Sequence, residues 1–253
     1  MIDAASTRSV DSTLGMKLLP SVLALTAGAV DVISFLGLGG LFAAHITGNL
    51  VILAAHRVDG DVAPVAHVLS VPVFMAALGL TRLLASGLEA LGRATLRALL
   101  ALQALLLAGV FVIGVSTGAP FDPTAPRAVT AGMLAVAAMA VQNALVQISL
   151  TGAPSTAVMT TNITRFTMDL GAVLLGRDAN EVASAGRRAW RTGPVIAGFV
   201  VGCGLGAACE AVFGLWSLVL PVGFAAAALA LGFNVSTVAV AHHSGRQPIA
   251  TRS

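Results

Sequence analysis

Between residues 26 and 57 the chain reads TAGAVDVISFLGLGGLFAAHITGNLVILAAHR, which sets Asp31, Ser34, His45, Thr47 and Asn49 in an otherwise apolar run. A second group follows further on: Gln142 and Asn143, then Thr160, Asn162, Arg165 and Asp169. The chemistry open to these types is binding and proton handling rather than bond breaking. A desolvated carboxylate can carry a proton or hold a cation. Hydroxyls and amides can replace water around a small polar solute, and an imidazole can shuttle protons near neutral pH.

Each residue also has a plainer use. Asp31 can tie helices together through Arg165, Gln142 or a hydroxyl, and threonine and asparagine cap helix starts. Gln142 and Asn143 can act as interhelical glue. Arg165 and Asp169 are four apart, so they share a helical face and can pair; the sharper reading makes Arg165 a gate or an anion anchor.

No catalytic constellation is expected, and the chain is not read as an enzyme. An intramembrane hydrolase needs a nucleophile, a base and stabilising donors that converge. Ser34 and His45 stand 11 apart across a glycine-rich break, and neither paired aspartates nor H-E-x-x-H occurs. The string GVSTG at 114–118 ends an apolar helix, whereas the nucleophile elbow needs a strand before it. Cys203 and Cys209 lie six apart in one apolar run and face different ways, so neither a disulfide nor a metal pair is expected. His242 and His243 stand in a terminal tail. No metal, cofactor or nucleotide motif is read, and a net charge of +3 gives no ground for nucleic-acid binding.

What must position these side chains is a membrane bundle. Of 253 residues, 57% are hydrophobic and 10% charged, against roughly 25% charged in soluble domains. Several apolar stretches reach about 20 residues, enough to cross a hydrocarbon core of about 30 Å as a helix. An acid in such a stretch costs about 2.5–3.5 kcal/mol on insertion, so it turns toward a bundle interior or a wet cavity.

The expected fold is an all-α polytopic membrane protein with six transmembrane helices, at about 19–40, 64–87, 95–117, 128–150, 193–213 and 215–236. Two further segments are broken or re-entrant: 43–55 is too short to cross, and 156–176 is too polar to face lipid. Tails cover 1–18 and 237–253. The proline-rich APFDPTAPR divides the single membrane domain, 19–236, into halves 19–117 and 128–236. With both tails cytoplasmic, eleven Arg and Lys fall inside and two, Arg57 and Arg127, outside, as the positive-inside rule requires. The expected location is the inner (plasma) membrane.

The halves share a pattern. A shift of 113 residues lays GLGGLFAAHITGNL (37–50) over SLTGAPSTAVMTTNI (149–163), matching Gly39 with Gly152, Thr47 with Thr160 and Asn49 with Asn162. Three crossings per half would make this a 3+3 inverted repeat, a plan that places binding groups near the midplane. Gly198, Gly202 and Gly206 form a stripe that lets helices approach closely, within one chain or between two copies of a homo-oligomer.

The strings AGAVDVISFLGLGGLFAAHITGNLVIL, AMAVQNALVQI and TTNITRFTMDL resemble the YoaK-type bacterial membrane proteins over most of residues 19–236. The resemblance implies a multi-pass protein of an uncharacterised family with a suggested small-molecule transporter role; it carries over no mechanism. The expected function is a transporter or channel whose path is lined by Asp31 and the two T-x-N segments, with the bilayer and a small solute as partners. The alternative is a non-catalytic membrane scaffold or subunit.

Overall fold

The computed structural model describes residues 4–59, 64–116 and 122–243; the first residues of the proline-rich linker and the tail beyond 243 lie outside them. Eight α-helices account for nearly all of the described residues: α1 (Ala4–Gly37), α2 (Ile46–Asp59), α3 (Val65–Ala90), α4 (Thr95–Val115), α5 (Pro126–Ser149), α6 (Met159–Leu175), α7 (Ala179–Phe213) and α8 (Val219–His243). A 3-10 turn, Gly214–Leu218, joins α7 to α8. Among the described residues there is no strand.

Four apolar segments are each long enough to cross a bilayer: Lys17–Gly37, Val65–Ala90, Thr95–Val115 and Pro126–Ser149. A fifth, Ala179–Phe233, runs for 55 residues and contains the 3-10 turn. This is the architecture of a multi-span membrane protein. Large apolar side chains such as Met75, Leu80, Leu83, Leu105, Val200 and Val212 stand outward, as a lipid-facing surface demands. Water would penalise that surface, and acyl chains do not.

Two helices form the centre. In their most apolar windows 67% of the residues of α1 and of α5 are buried, against 17% in α3 and 33% in α4. α1 packs on α7 and α8, while α5 packs on α3 and α4. The short helices ride on the same partners, α2 on α3 and α6 on α7, and α4 meets α8.

The glycine stripe is spent inside the chain. A methyl group at Gly198 would come within 2.6 Å of the Ser21 carbonyl oxygen, and one at Gly206 within 3.1 Å of the Ala29 Cα. Gly202 meets the backbone of Leu25, and Gly28 of α1 faces Phe199 and Cys203 in return. α1 and α7 therefore touch almost backbone to backbone, a closeness that a Cβ would prevent.

Three segments differ from expectation, one of them 237–243, which α8 takes from the expected C-terminal tail. The stretch 1–18, read as a tail, is helical from Ala4 onward, because nothing in AASTRSVDST breaks a helix that continues into the membrane. The stretch 177–191, which falls between the expected segments 156–176 and 193–213, forms from Ala179 onward the first third of α7. Asp178 caps it by accepting from the Asn180 N–H at 2.9 Å, and Glu181 lies in its first turn. An acidic cap and an acidic first turn both complement a helix start.

Candidate functional site

After α1 and again after α5 the chain turns back on the helix it has just left. α1 closes with Leu38 N–H donating to the Ser34 carbonyl at 2.9 Å, and Gly39 and Gly40 follow with φ of 76° and 80°. That left-handed conformation is costly for any residue with a Cβ. The reversed segment then runs down the side of α1, with Leu41 against Gly132 of α5. It reaches Asp31, where the Ala44 N–H donates to Asp31 Oδ1 at 2.7 Å and the His45 N–H to the same oxygen at 3.4 Å. His45 Nδ1 bonds Asp31 Oδ2. Asp31 lies six residues before the end of α1, so the chain has descended about 9 Å.

Here α2 begins, and Asn49 locks the turn. Its Nδ2 donates to the Phe42 carbonyl at 2.7 Å, and its Oδ1 accepts from the Phe42 N–H at 2.9 Å. Phe42 stacks on Phe35 with ring centroids 4.8 Å apart. His67 of α3 holds the mouth of the turn through Nε2 and the Gly40 carbonyl at 3.1 Å.

The second reversal follows the same plan. Gly152 takes φ of 79°, and the chain returns along α5 until Thr156 Oγ1 accepts from Gln142 Nε2 at 2.9 Å. α6 starts at Met159, and Asn162 Nδ2 donates to the Ser155 carbonyl at 2.6 Å. Displaced by 113 residues, the positive-φ glycine, the clamped carbonyl, the helix start and the clamping asparagine all coincide.

Gln142 is the hub of the second reversal. Its Nε2 also donates to the Leu23 carbonyl of α1 at 2.9 Å, and its Oε1 accepts from Gln103 Nε2 of α4 at 2.6 Å. One buried amide thus joins three helices and the returning segment. Leu23 and Asp31 are eight residues apart on α1, so the two innermost points are separated along that helix by about 12 Å.

The sequence-identified residues divide accordingly. Asp31, Asn49, Gln142 and Asn162 are buried and hydrogen-bonded, the two asparagines within their own turns. Ser34 is buried with its hydroxyl unpartnered, and His45, half-buried, is taken up by Asp31. Asn143 donates to the Met139 carbonyl of its own helix at 2.8 Å. Thr47 and Thr160 are exposed: in each T-x-N only the asparagine points inward, because residues two apart on a helix face nearly opposite sides.

Arg165 and Asp169 do not pair. The Asp169 carboxylate is buried toward α7, where Arg188 Nη2 and Nε reach it at 2.6 and 2.8 Å. Arg165 is exposed and makes no hydrogen bond or ion pair among the described residues. Arg191 donates to the Gly152 carbonyl at 2.7 Å. With Asn162, Thr192 and Asp169, the three arginines line a cavity of about 450 Å³ between the second reversal, α6 and α7.

Arg188, Arg191, Gln103 and His67 escaped the sequence reading. The first two stand in or beside the polar stretch between the expected segments 156–176 and 193–213. Gln103 is a lone amide in the apolar α4, a signal of the same kind as Gln142 and available to the same argument. His67 gave no cue, since a histidine near a helix end is common.

A family model described as a protein of unknown function, DUF1275, matches residues 19–231. No curated protein and no solved structure matches the chain significantly.

Proposed function

The chain belongs to the DUF1275 family, and from that premise we propose that it moves a small polar solute across the membrane by opening its two reversed segments in turn. The observation that carries this reading is the matched pair of reversals. Gly39 and Gly152, Phe42 and Ser155, Ile46 and Met159, Asn49 and Asn162 keep one spacing and one set of backbone roles. The packing follows the same exchange: α1 with α7 and α8 answers α5 with α3 and α4.

Six full crossings, α1, α3, α4, α5, α7 and α8, make the halves antiparallel, so the reversals enter from opposite faces as re-entrant segments. Irregular backbone at that depth is tolerated only where protein or a wet cavity surrounds it. Inverted repeats with interrupted helices use such places to bind solute, and they alternate access by rocking one part against another. Trp190, a third of the way along α7, and Trp216, in the 3-10 turn that follows it, are both exposed and suit the two interfaces, where aromatic residues gather. Both termini and the arginine-lined cavity then face the cytoplasm.

In this arrangement the first reversal is shut and the second is open. Asp31 latches the first by holding Ala44 and His45, while a cavity reaches the second. Protonation of Asp31 would remove the charge that holds the latch, which couples opening to protons. The working residues are then Asp31, Ser34, His45, Gln142, Arg165 and Asp169, with Asn49 and Asn162 as clamps and Thr47 and Thr160 outside the path.

Flux into proteoliposomes with and without a pH gradient tests the proposal. Asp31→Asn is expected to abolish the gradient dependence. Unchanged dependence removes Asp31 from the mechanism, and wild-type protein that passes no solute of a broad panel overturns transport itself. That last outcome favours a non-catalytic scaffold, the reading that the complete bonding and 4% exposure of Asp31 support.

A further inference from the structure

We propose that the cavity beside the second reversal is an oxyanion site, which takes a phosphate or carboxylate group; the inference deepens the transport reading and rests on it for the site's purpose. Its lining carries three guanidinium groups, from Arg165, Arg188 and Arg191, and one carboxylate, from Asp169. Two positive charges are left over.

The single acid cannot serve as the general counterion. Asp169 is buried against α7 and committed to Arg188 through two short contacts to one oxygen. Arg191 is held by the Gly152 carbonyl through one nitrogen, a bond that orients the side chain and leaves its charge uncompensated. Arg165 has no partner among the described residues. A planar fork with free N–H groups matches the two oxygens of a carboxylate or phosphate.

Position adds to charge. Asn162 clamps the reversal at the cavity wall, and Arg191 grips the same reversal at its glycine. An anion that draws Arg165 and Arg191 together would therefore pull on the segment whose movement the transport reading requires. A volume of about 450 Å³ lies within the ordinary range for small-molecule sites.

A soluble anion and an anionic lipid headgroup present the same chemistry, so the test has two arms. In nanodiscs of phosphatidylcholine alone, full-length protein is titrated with inorganic phosphate and with succinate by calorimetry, with choline and glucose as controls. In the second arm, nanodiscs containing phosphatidylglycerol receive no soluble anion, and native mass spectrometry reads retained lipid. Saturable binding in the first arm identifies a soluble anion; selective lipid retention in the second identifies a headgroup. Either supports an oxyanion site provided Arg165→Gln weakens it by about ten- to hundredfold, the range for a lost bond to a charged group.

Arg165→Gln is the informative variant because the side chain is exposed and unpaired, so the unliganded melting temperature is expected to stay unchanged. Arg165→Lys, which keeps the charge but loses the fork, should fall between. Absence of both kinds of binding, equal binding of the controls, or binding untouched in Arg165→Gln overturns the site. Transport and site fail separately: anion binding without flux defeats only transport, whereas flux of a neutral solute without anion binding defeats only the site.

Discussion

At the scale of single residues, the amides in this fold act on backbone more than on one another. Asn49 meets both the N–H and the carbonyl of Phe42, whereas Asn162 meets the Ser155 carbonyl and, weakly, the Met159 sulfur. Asn49→Ala strands two buried groups and should cost about 2–4 kcal/mol, with Asn162→Ala nearer 1–2, because each unsatisfied buried group costs about 1–3 kcal/mol. Reversible unfolding in detergent checks the order, and an equal loss in the two variants would contradict the bonding described. The T-x-N spacing made both asparagines legible as paired features of the sequence. It did not reveal their task, since a side chain that clamps its own turn and one that lines a path have the same composition. Arg165 and Asp169 show the other limit. Their spacing of four allows a pair, but α7 brings Arg188 to the same carboxylate with better geometry, and sequence spacing cannot see a competitor on another helix.

At the scale of elements, α1 and α7 are held by glycine on both sides. Gly202 and Gly204 sit two apart on α7 and separate the causes cleanly. A Cβ at Gly202 would run into the Leu25 backbone, while one at Gly204 meets nothing within 4 Å. Gly202→Ala should destabilise by about 1–3 kcal/mol, the usual cost of overpacking, and more if the helices cannot part. Gly204→Ala should be neutral or stabilising by up to about 1 kcal/mol, from helix propensity alone. Thermal unfolding of the two variants side by side decides, and a loss at Gly204 matching that at Gly202 would put the stripe's role elsewhere. The glycine spacing was legible, but its partner was not, because a stripe says that something comes close and not what. The polar start of α7 falls outside the expected crossings for a related reason. RDANEVASAGRRAWR has loop-like polarity, yet its capping aspartate and its alanines suit an exposed helix that reaches beyond the bilayer.

At the scale of the whole molecule, the proposed inverted repeat rests on the match between the two reversals, and the proposed orientation follows from how they sit. The central helices α1 and α5 each carry a reversal at their C-terminal ends, and those ends lie on opposite sides if the halves are antiparallel. The Gln142 bond to Leu23 joins the inner part of each helix to the other, with the two innermost points about 12 Å apart along α1. Parallel halves would bring both reversals in from one side and leave the opposite face with none. The distinction can be read by labelling. With Cys203 and Cys209, both free, replaced by alanine, a cysteine at Val58, beyond the first reversal and 87% exposed, should react with a membrane-impermeant maleimide added to intact cells. A cysteine at Leu175, beyond the second reversal and 83% exposed, should stay protected until the membrane is opened. Labelling of both positions from outside, or of neither, removes the antiparallel arrangement and with it the alternating mechanism. Opposite labelling leaves a molecule whose two entrances face different compartments, the geometry in which closing one and opening the other moves a solute.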